Sequence, residues 1–223
     1  MIEIKFQKEL IQLIPSVRLG CIWCEVDVSP SHENILEFSK AVIDDIRSEL
    51  TMEIISQKPT IKATKEAYRK LGKDPSRYRP SAEALTRRIV GGKALYRINN
   101  VIDILNLVSI KSGFSIGGYD ANKIEGDIEF GIGNANEPYD AIGRGTLNIE
   151  NLPIFRDSMG AFGSPTSDSV RTMVTDNTKR FLMIVIDFYR HNNLEQTLEQ
   201  SAELYKKNAY ASAMEIKIIS SDK

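Results

Sequence analysis

Histidine and cysteine are scarce: of 223 residues, two are histidine (His32, His191) and two are cysteine (Cys21, Cys24). A structural zinc site needs four nitrogen or sulfur ligands at close spacing, and neither a second cysteine pair nor a paired histidine is present to complete one. No metal and no cofactor is therefore expected. The C-x-x-C of LGCIWCEVDV lies in an alternating run, not at a helix N-terminus that would lower a thiol pKa. Residues three apart in a strand face opposite sides, so two reduced cysteines filling strand positions are expected. Long apolar runs are missing too. FLMIVI, at 181–186, falls far short of the roughly 20 residues that cross a bilayer. The N-terminal MIEIKFQKELIQLIP carries charges through its apolar pattern, which argues against a signal peptide. A cytoplasmic chain with no membrane partner is expected. No G-x-S-x-G elbow, Walker loop or dinucleotide-binding glycine pattern occurs, which sets aside the common hydrolase and nucleotide-binding signatures.

Charge of one sign is abundant in one place. Net charge is only −1, yet residues 59–100 hold eleven Lys or Arg against three acids, so the remainder is strongly acidic. Interspersed signs would serve solubility better, whereas a one-sign field attracts polyanions. Lys62, Lys65, Arg69, Arg77, Arg79, Arg87 and Arg88 are the candidate contacts to a nucleic-acid backbone. The competing reading is a set of solvated helix faces.

Apolar spacing predicts a short helix over 8–14, a strand over 17–28, and a helix over 31–57 with Ser29 as N-cap and Pro30 in its first turn. Helices follow over 60–71, 81–90 and 99–109. The period then shortens: FSIGGYD, DIEFGIGN, IGRGTLNIE, LPIFRDS and RFLMIVIDFY read as strands between Gly, Asn, Asp and Pro. A helix over 194–208 and a strand MEIKIIS close the chain. Helices first and strands afterwards indicate α+β.

Two loops carry the chemistry. GAFGSPTSDS at 160–169 concentrates hydroxyls: Ser164, Thr166, Ser167 and Ser169, beside Asp168. Such groups can surround a polar ligand, hold a water and donate to a developing oxyanion, with Asp168 orienting an amine or hydroxyl. Equally, Ser and Thr in turns satisfy their own backbone. In SIGGYD, Gly117 and Gly118 read either as a tight strand exit or as a place where a substrate approaches the backbone closely.

RYRPSAEALTRRIVGGKALYRINNVIDILNLVSIKSGFSIGGYDANKI, LPIFRDS and VTDNTKRFLMIVIDF together resemble the B3/B4 domain of the phenylalanyl-tRNA synthetase β subunit in its free-standing form. The resemblance runs from about residue 77 to 189 through Asn99, Asn100, Val101, Asp103, Ile104, Asn106, Val108, Tyr119 and Asp120. The first 73 or so residues are less synthetase-like. It implies an α+β fold with helices packed on a mixed β-sheet core. The expected organisation is one B3/B4-like domain over 1–223, with 1–75 a helical lobe carrying one strand and 76–223 the core.

In the synthetase this module hydrolyses the ester of a wrongly charged tRNA, so the resemblance implies a tRNA partner engaged at its aminoacylated 3′ end. There is room for neither the aminoacylation nor the anticodon-binding module. Gly117 stands where the family places a pocket histidine, and GAFGSPTSDS replaces its glycine-glycine-glutamate turn. The expected site has Thr166 and Asp168 as catalytic residues, with Gly117, Gly118, Tyr119, Ser164, Ser167, Ser169 and Asn100 contacting substrate. The alternatives are a non-catalytic RNA, amino-acid or nucleoside binder, or a small-molecule enzyme on the same fold.

Overall fold

A computed structural model describes residues 2–221. The chain runs β1 (Ile4–Phe6), α1 (Lys8–Leu13), β2 (Arg18–Glu25), then α2 (Glu33–Glu49), α3 (Met52–Ile55), α4 (Pro59–Lys70), α5 (Ser81–Val90) and α6 (Asn100–Ser112). Strands follow: β3 (Ser115–Asp120), β4 (Ile128–Ile132), β5 (Asp140–Ala141), β6 (Gly145–Thr146), β7 (Pro153–Asp157), β8 (Gly160–Gly163) and β9 (Arg180–Asp187). Helix α7 (Leu194–Asn208) and β10 (Ser212–Ser220) complete it. The fold is α+β, with helices packed on mixed and antiparallel sheets.

Two four-stranded sheets make the frame. One is antiparallel in the order β10-β2-β9-β3; the other has the order β1-β4-β7-β8 and is mixed, because β1 pairs β4 in parallel. Alternation assigns the faces of the antiparallel sheet. Leu19, Cys21, Leu182, Ile184, Ile186 and Tyr119 point toward Phe130, Phe155 and Phe162 of the second sheet. Ile22, Cys24, Phe181, Met183 and Val185 point toward α2, α6 and α7. The two cysteines thus face opposite cores, free and buried, and burial pushes the Cys24 thiol up to about 12. Gly20 of β2 lets α7 settle close, since a Cβ there would meet Leu194 and Leu198.

Helix α6 is defined at both ends by its sequence. The Asn99 side chain caps it by accepting from the Ile102 amide at 2.9 Å, and Gly113, at φ 78°, ends it in the left-handed conformation that glycine tolerates. The next residue, Asn100, uses its whole side chain as a brace. Its amide nitrogen donates to the carbonyls of Asp27 and Asn208, and its oxygen accepts from the amides of Ser29 and Val101. Asp103 accepts from Ser31 Oγ at 2.6 Å and the Ile98 amide at 2.9 Å.

That bracing explains one departure from the sequence reading. Ser29 is tied to Asn100, so the helix begins at Glu33, with His32 in the cap position. It also ends early, at Glu49, where Leu50 and Thr51 turn extended before α3. The strand expected in IGRGTLNIE shrinks to the two residues of β6, because Gly143 and Gly145 take positive φ in a tight β5–β6 hairpin. GAFG, read as part of the hydroxyl turn, forms β8. The stretch 1–75, read as a helical lobe with one strand, contributes two, one to each sheet.

Candidate functional site

Gly117 and Gly118 lie within β3, paired to Ile184 and Met183 of β9, rather than at its exit. Gly118 faces the helical core, where a Cβ would collide with Leu105. Gly117 faces the other sheet, on the same side as Tyr119 two residues on. The Tyr119 phenol folds back along its own strand so that a Cβ at Gly117, or at Gly163 at the end of β8, would strike its hydroxyl. Two glycines on separate sheets therefore form the slot in which that hydroxyl lies. Its ring is held edge-on against Phe162, 5.0 Å between centroids, and against Phe155.

The slot delivers the phenol to the hydroxyl turn. Tyr119 Oη donates to Asp168 Oδ1 at 2.8 Å, and the Gly118 amide donates to Oδ2 at 3.3 Å. Burial pushes the Asp168 carboxyl up to about 7, outweighing the opposite pull of these two donors and the Ser164 backbone. Burial also holds the Tyr119 hydroxyl well above its ordinary value, so it remains a neutral donor. The turn and the twin glycines, 50 residues apart for Gly118 and Asp168, thus meet at one carboxylate.

Within the turn most hydroxyls are committed internally. Ser164 Oγ donates to the Ser167 carbonyl at 2.9 Å and accepts from the amides of Thr166 and Ser167. Ser169 Oγ accepts from the Arg171 amide. Thr166, 3% exposed, points inward, its hydroxyl 2.8 Å from that of Tyr68 in α4. Tyr139 donates to the Ser167 carbonyl at 2.7 Å, and the Pro165 carbonyl accepts from the Ser81 amide at the start of α5 at 2.8 Å. Ser167 and Asp168 are half-buried. Near them stand exposed apolar residues: Ile142, whose amide donates to the Asp168 carbonyl, with Val170, and Met173, which bridges to Tyr119.

Tyr68, Tyr139, Gly163 and this apolar rim escaped the sequence reading. Each belongs by tertiary contact, and no local spacing marks it. Asn100 is in the opposite position: its polar atoms are all engaged by backbone at the start of α6. Two surface clefts lie away from the turn. One, of about 550 Å³, runs between α6 and α7 beside Phe38; the other, of about 790 Å³, separates β1 from β10. Among the described residues no group of three His, Cys, Asp or Glu is placed to hold a metal, and no helix is long and apolar enough to cross a membrane.

Because Tyr68 and Ser81 touch the turn, α4 and α5 bring the basic segment beside it. Lys62, Arg69, Arg77 and Arg79 are exposed. Lys65 and Arg87 instead converge on the buried Glu83, at 3.4 and 2.8 Å. Arg88 lies over the ring of Tyr96, 4.0 Å from its centroid, and donates to the Ala94 carbonyl.

Residues 63–210 match the family described as the B3/4 domain, about two thirds of the chain, taking in the hydroxyl turn and its hydrogen-bond partners. The chain belongs to the B3/4 domain family. The B3/4 match begins in α4 and ends just after α7, so it takes in Tyr68, β3, the hydroxyl turn and α5, while β1, β2 and β10 lie outside it. Among solved structures the chain is similar to an N-terminal fragment of the phenylalanyl-tRNA synthetase β-subunit from Pyrococcus horikoshii. That likeness has 13% identity and a TM-score of 0.48, covering 97% of this chain and 50% of the other. This chain therefore spans half the length of that fragment. No curated protein matches it.

Proposed function

We propose that this B3/4 chain binds the aminoacylated 3′ end of a tRNA and hydrolyses the ester of a wrongly attached amino acid in trans. The observation that carries the proposal is Asp168: a carboxyl lifted by burial to about 7 and fixed by hydrogen bonds from Tyr119 and the Gly118 amide. A general base works best when its pKa lies near the working pH. In this reading Asp168 takes a proton from a water as that water attacks the ester carbonyl. Collapse of the tetrahedral intermediate expels the ribose oxygen, which regains a proton from Asp168. An aminoacyl ester is already reactive, so positioning and one base supply enough.

The other residues take supporting parts. Gly117 leaves the slot in which the Tyr119 hydroxyl reaches Asp168, Gly118 donates its amide to the same carboxylate, and Ser167 offers a hydroxyl on the adjoining residue. Tyr119 positions Asp168, while Thr166, Ser164 and Ser169 hold the turn in shape. Ile142, Val170 and Met173 present apolar surface for the adenine or the amino-acid side chain. The exposed Lys62, Arg69, Arg77 and Arg79, with Arg87 and Arg88 behind them, attract the tRNA backbone. Such a role would be exercised in the cytoplasm, with the tRNA pool.

A second reading, a B3/4 module that binds aminoacyl-tRNA or a nucleoside without cleaving it, is favoured by the inward commitment of Ser164, Thr166 and Ser169. Incubation with a panel of mischarged tRNAs separates the two. Ester loss that disappears in D168N while tRNA binding persists supports hydrolysis. Saturable binding with ester lifetimes unchanged across the panel supports the binder.

A further inference from the structure

Strand β10 is the outer strand of the antiparallel sheet, hydrogen-bonded to β2 on one side and, among the described residues, to no strand on the other. Such an edge is a template for another strand unless it is blocked. Here the edge is long, and its residues Ile216 and Ile218 are 43% and 38% exposed. Both lie on the face that α7 covers, since they pair with Ile22 and Gly20 of β2. Glu215 and Lys217 lie on the opposite face and pair with each other along the strand. A register irregularity between Ser212 and Glu215, with Ala213 at φ 46°, confines the regular edge to the later residues.

The sequence of this edge, SAMEIKIIS, is complementary to itself read backwards. Antiparallel pairing of two copies about a two-fold axis at Ile216 sets Glu215 opposite Lys217 of the second copy, and Lys217 opposite its Glu215. Ile216 falls opposite Ile216, and Ile218 lies toward Met214 at the start of the irregular stretch. Shifting the axis by two residues, to Ile218, would set Lys217 opposite Ile219 and lose both charge pairs. We infer that β10 is a homodimer interface, at which a second copy of this chain joins edge to edge and continues the sheet to eight strands. The axis perpendicular to the sheet makes the contact isologous and self-closing. Main-chain hydrogen bonds supply the attraction, and the two crossed charge pairs fix the register. Ile216 and Ile218 of both copies then cover one another on the α7 face.

Charge swapping tests this without reference to the activity. Sedimentation across a concentration series is expected to show the wild-type chain associating to a dimer. E215K alone and K217E alone, each placing like charges opposite one another twice, are expected to weaken association by about tenfold or more. An equimolar mixture of the two variants restores every opposite pairing and is expected to dimerise again, which a misfolded variant could not do. A wild-type chain that stays monomeric throughout, variants that associate like wild type, or a mixture no better than its components would each overturn the inference.

Discussion

The hydroxyl of Tyr119 reaches Asp168 only because Gly117 and Gly163 carry no side chain beside it. Adding one methyl, G117A, drives the phenol out of its slot and is expected to break the bond to Asp168. Y119F keeps the ring and deletes only the donor. Since that donor lowers the Asp168 pKa, the variant is expected to titrate above the wild-type value near 7, which carboxyl-carbon NMR of Asp168 would follow. Asp168 was legible in the sequence, as an aspartate among hydroxyls in a glycine-bounded turn. Its partner was legible only as a neighbour of two glycines. The back-folded phenol and the approach of Gly163 depend on how two sheets stack, and strand alternation says nothing of that. The hydroxyls around Asp168 illustrate the same limit. Composition admits both a ligand cage and a self-satisfied turn, and the hydrogen bonds of Ser164, Thr166 and Ser169 take the second form.

The turn is held by helices, and its stability should report on them. T166V leaves the Tyr68 hydroxyl buried without its partner, which is expected to cost about 1–3 kcal/mol in urea unfolding. The brace at Asn100 serves four backbone groups between the helical and strand regions, so N100A is expected to lose at least as much. For α4 and α5 the charges divide into two kinds. Lys65 and Arg87 are engaged by Glu83, whereas Lys62 and Arg69 are exposed. The double variant K62E/R69E is therefore expected to weaken tRNA binding more than K65Q. It should also reduce the slope of log affinity against log salt by about 0.7–0.9 for each phosphate no longer neutralised, measured by filter binding. Helix positions were largely legible from apolar period, caps and terminal glycines. The exceptions were the early end of α2 and the delayed start at Glu33, where a brace from residue 100 overrides a local Ser-Pro signal.

Across the whole molecule, the half-buried Asp168 and the buried Asp187 pull stability in opposite directions with pH. Asp168, raised from 3.8 to about 7 in the fold, contributes stability fully present below about pH 4 and lost as pH rises through 7. For Asp187, burial pushes the pKa up but is outweighed by hydrogen bonds from His191 and Arg18 and the Tyr189 amide, so it sits below its ordinary value. Its contribution is present above about pH 4 and lost as the solution becomes more acidic. Denaturant titrations should therefore show the wild-type chain gaining on D168N as pH falls from 8 to 4, and D187N losing its disadvantage only at the acidic extreme. The α+β class was legible from the order of helices and strands. The division into two stacked sheets was not, because the parallel β1–β4 pairing joins segments that share no local signal. In the proposed ester hydrolysis the Asp168 carboxylate takes the proton. The most direct test is the rate of deacylation of a mischarged tRNA against pH, for wild type and D168N. The wild-type rate is expected to rise through a pKa near 7 and level off, with D168N slow at every pH yet binding tRNA normally. A D168N profile superimposable on wild type would contradict it.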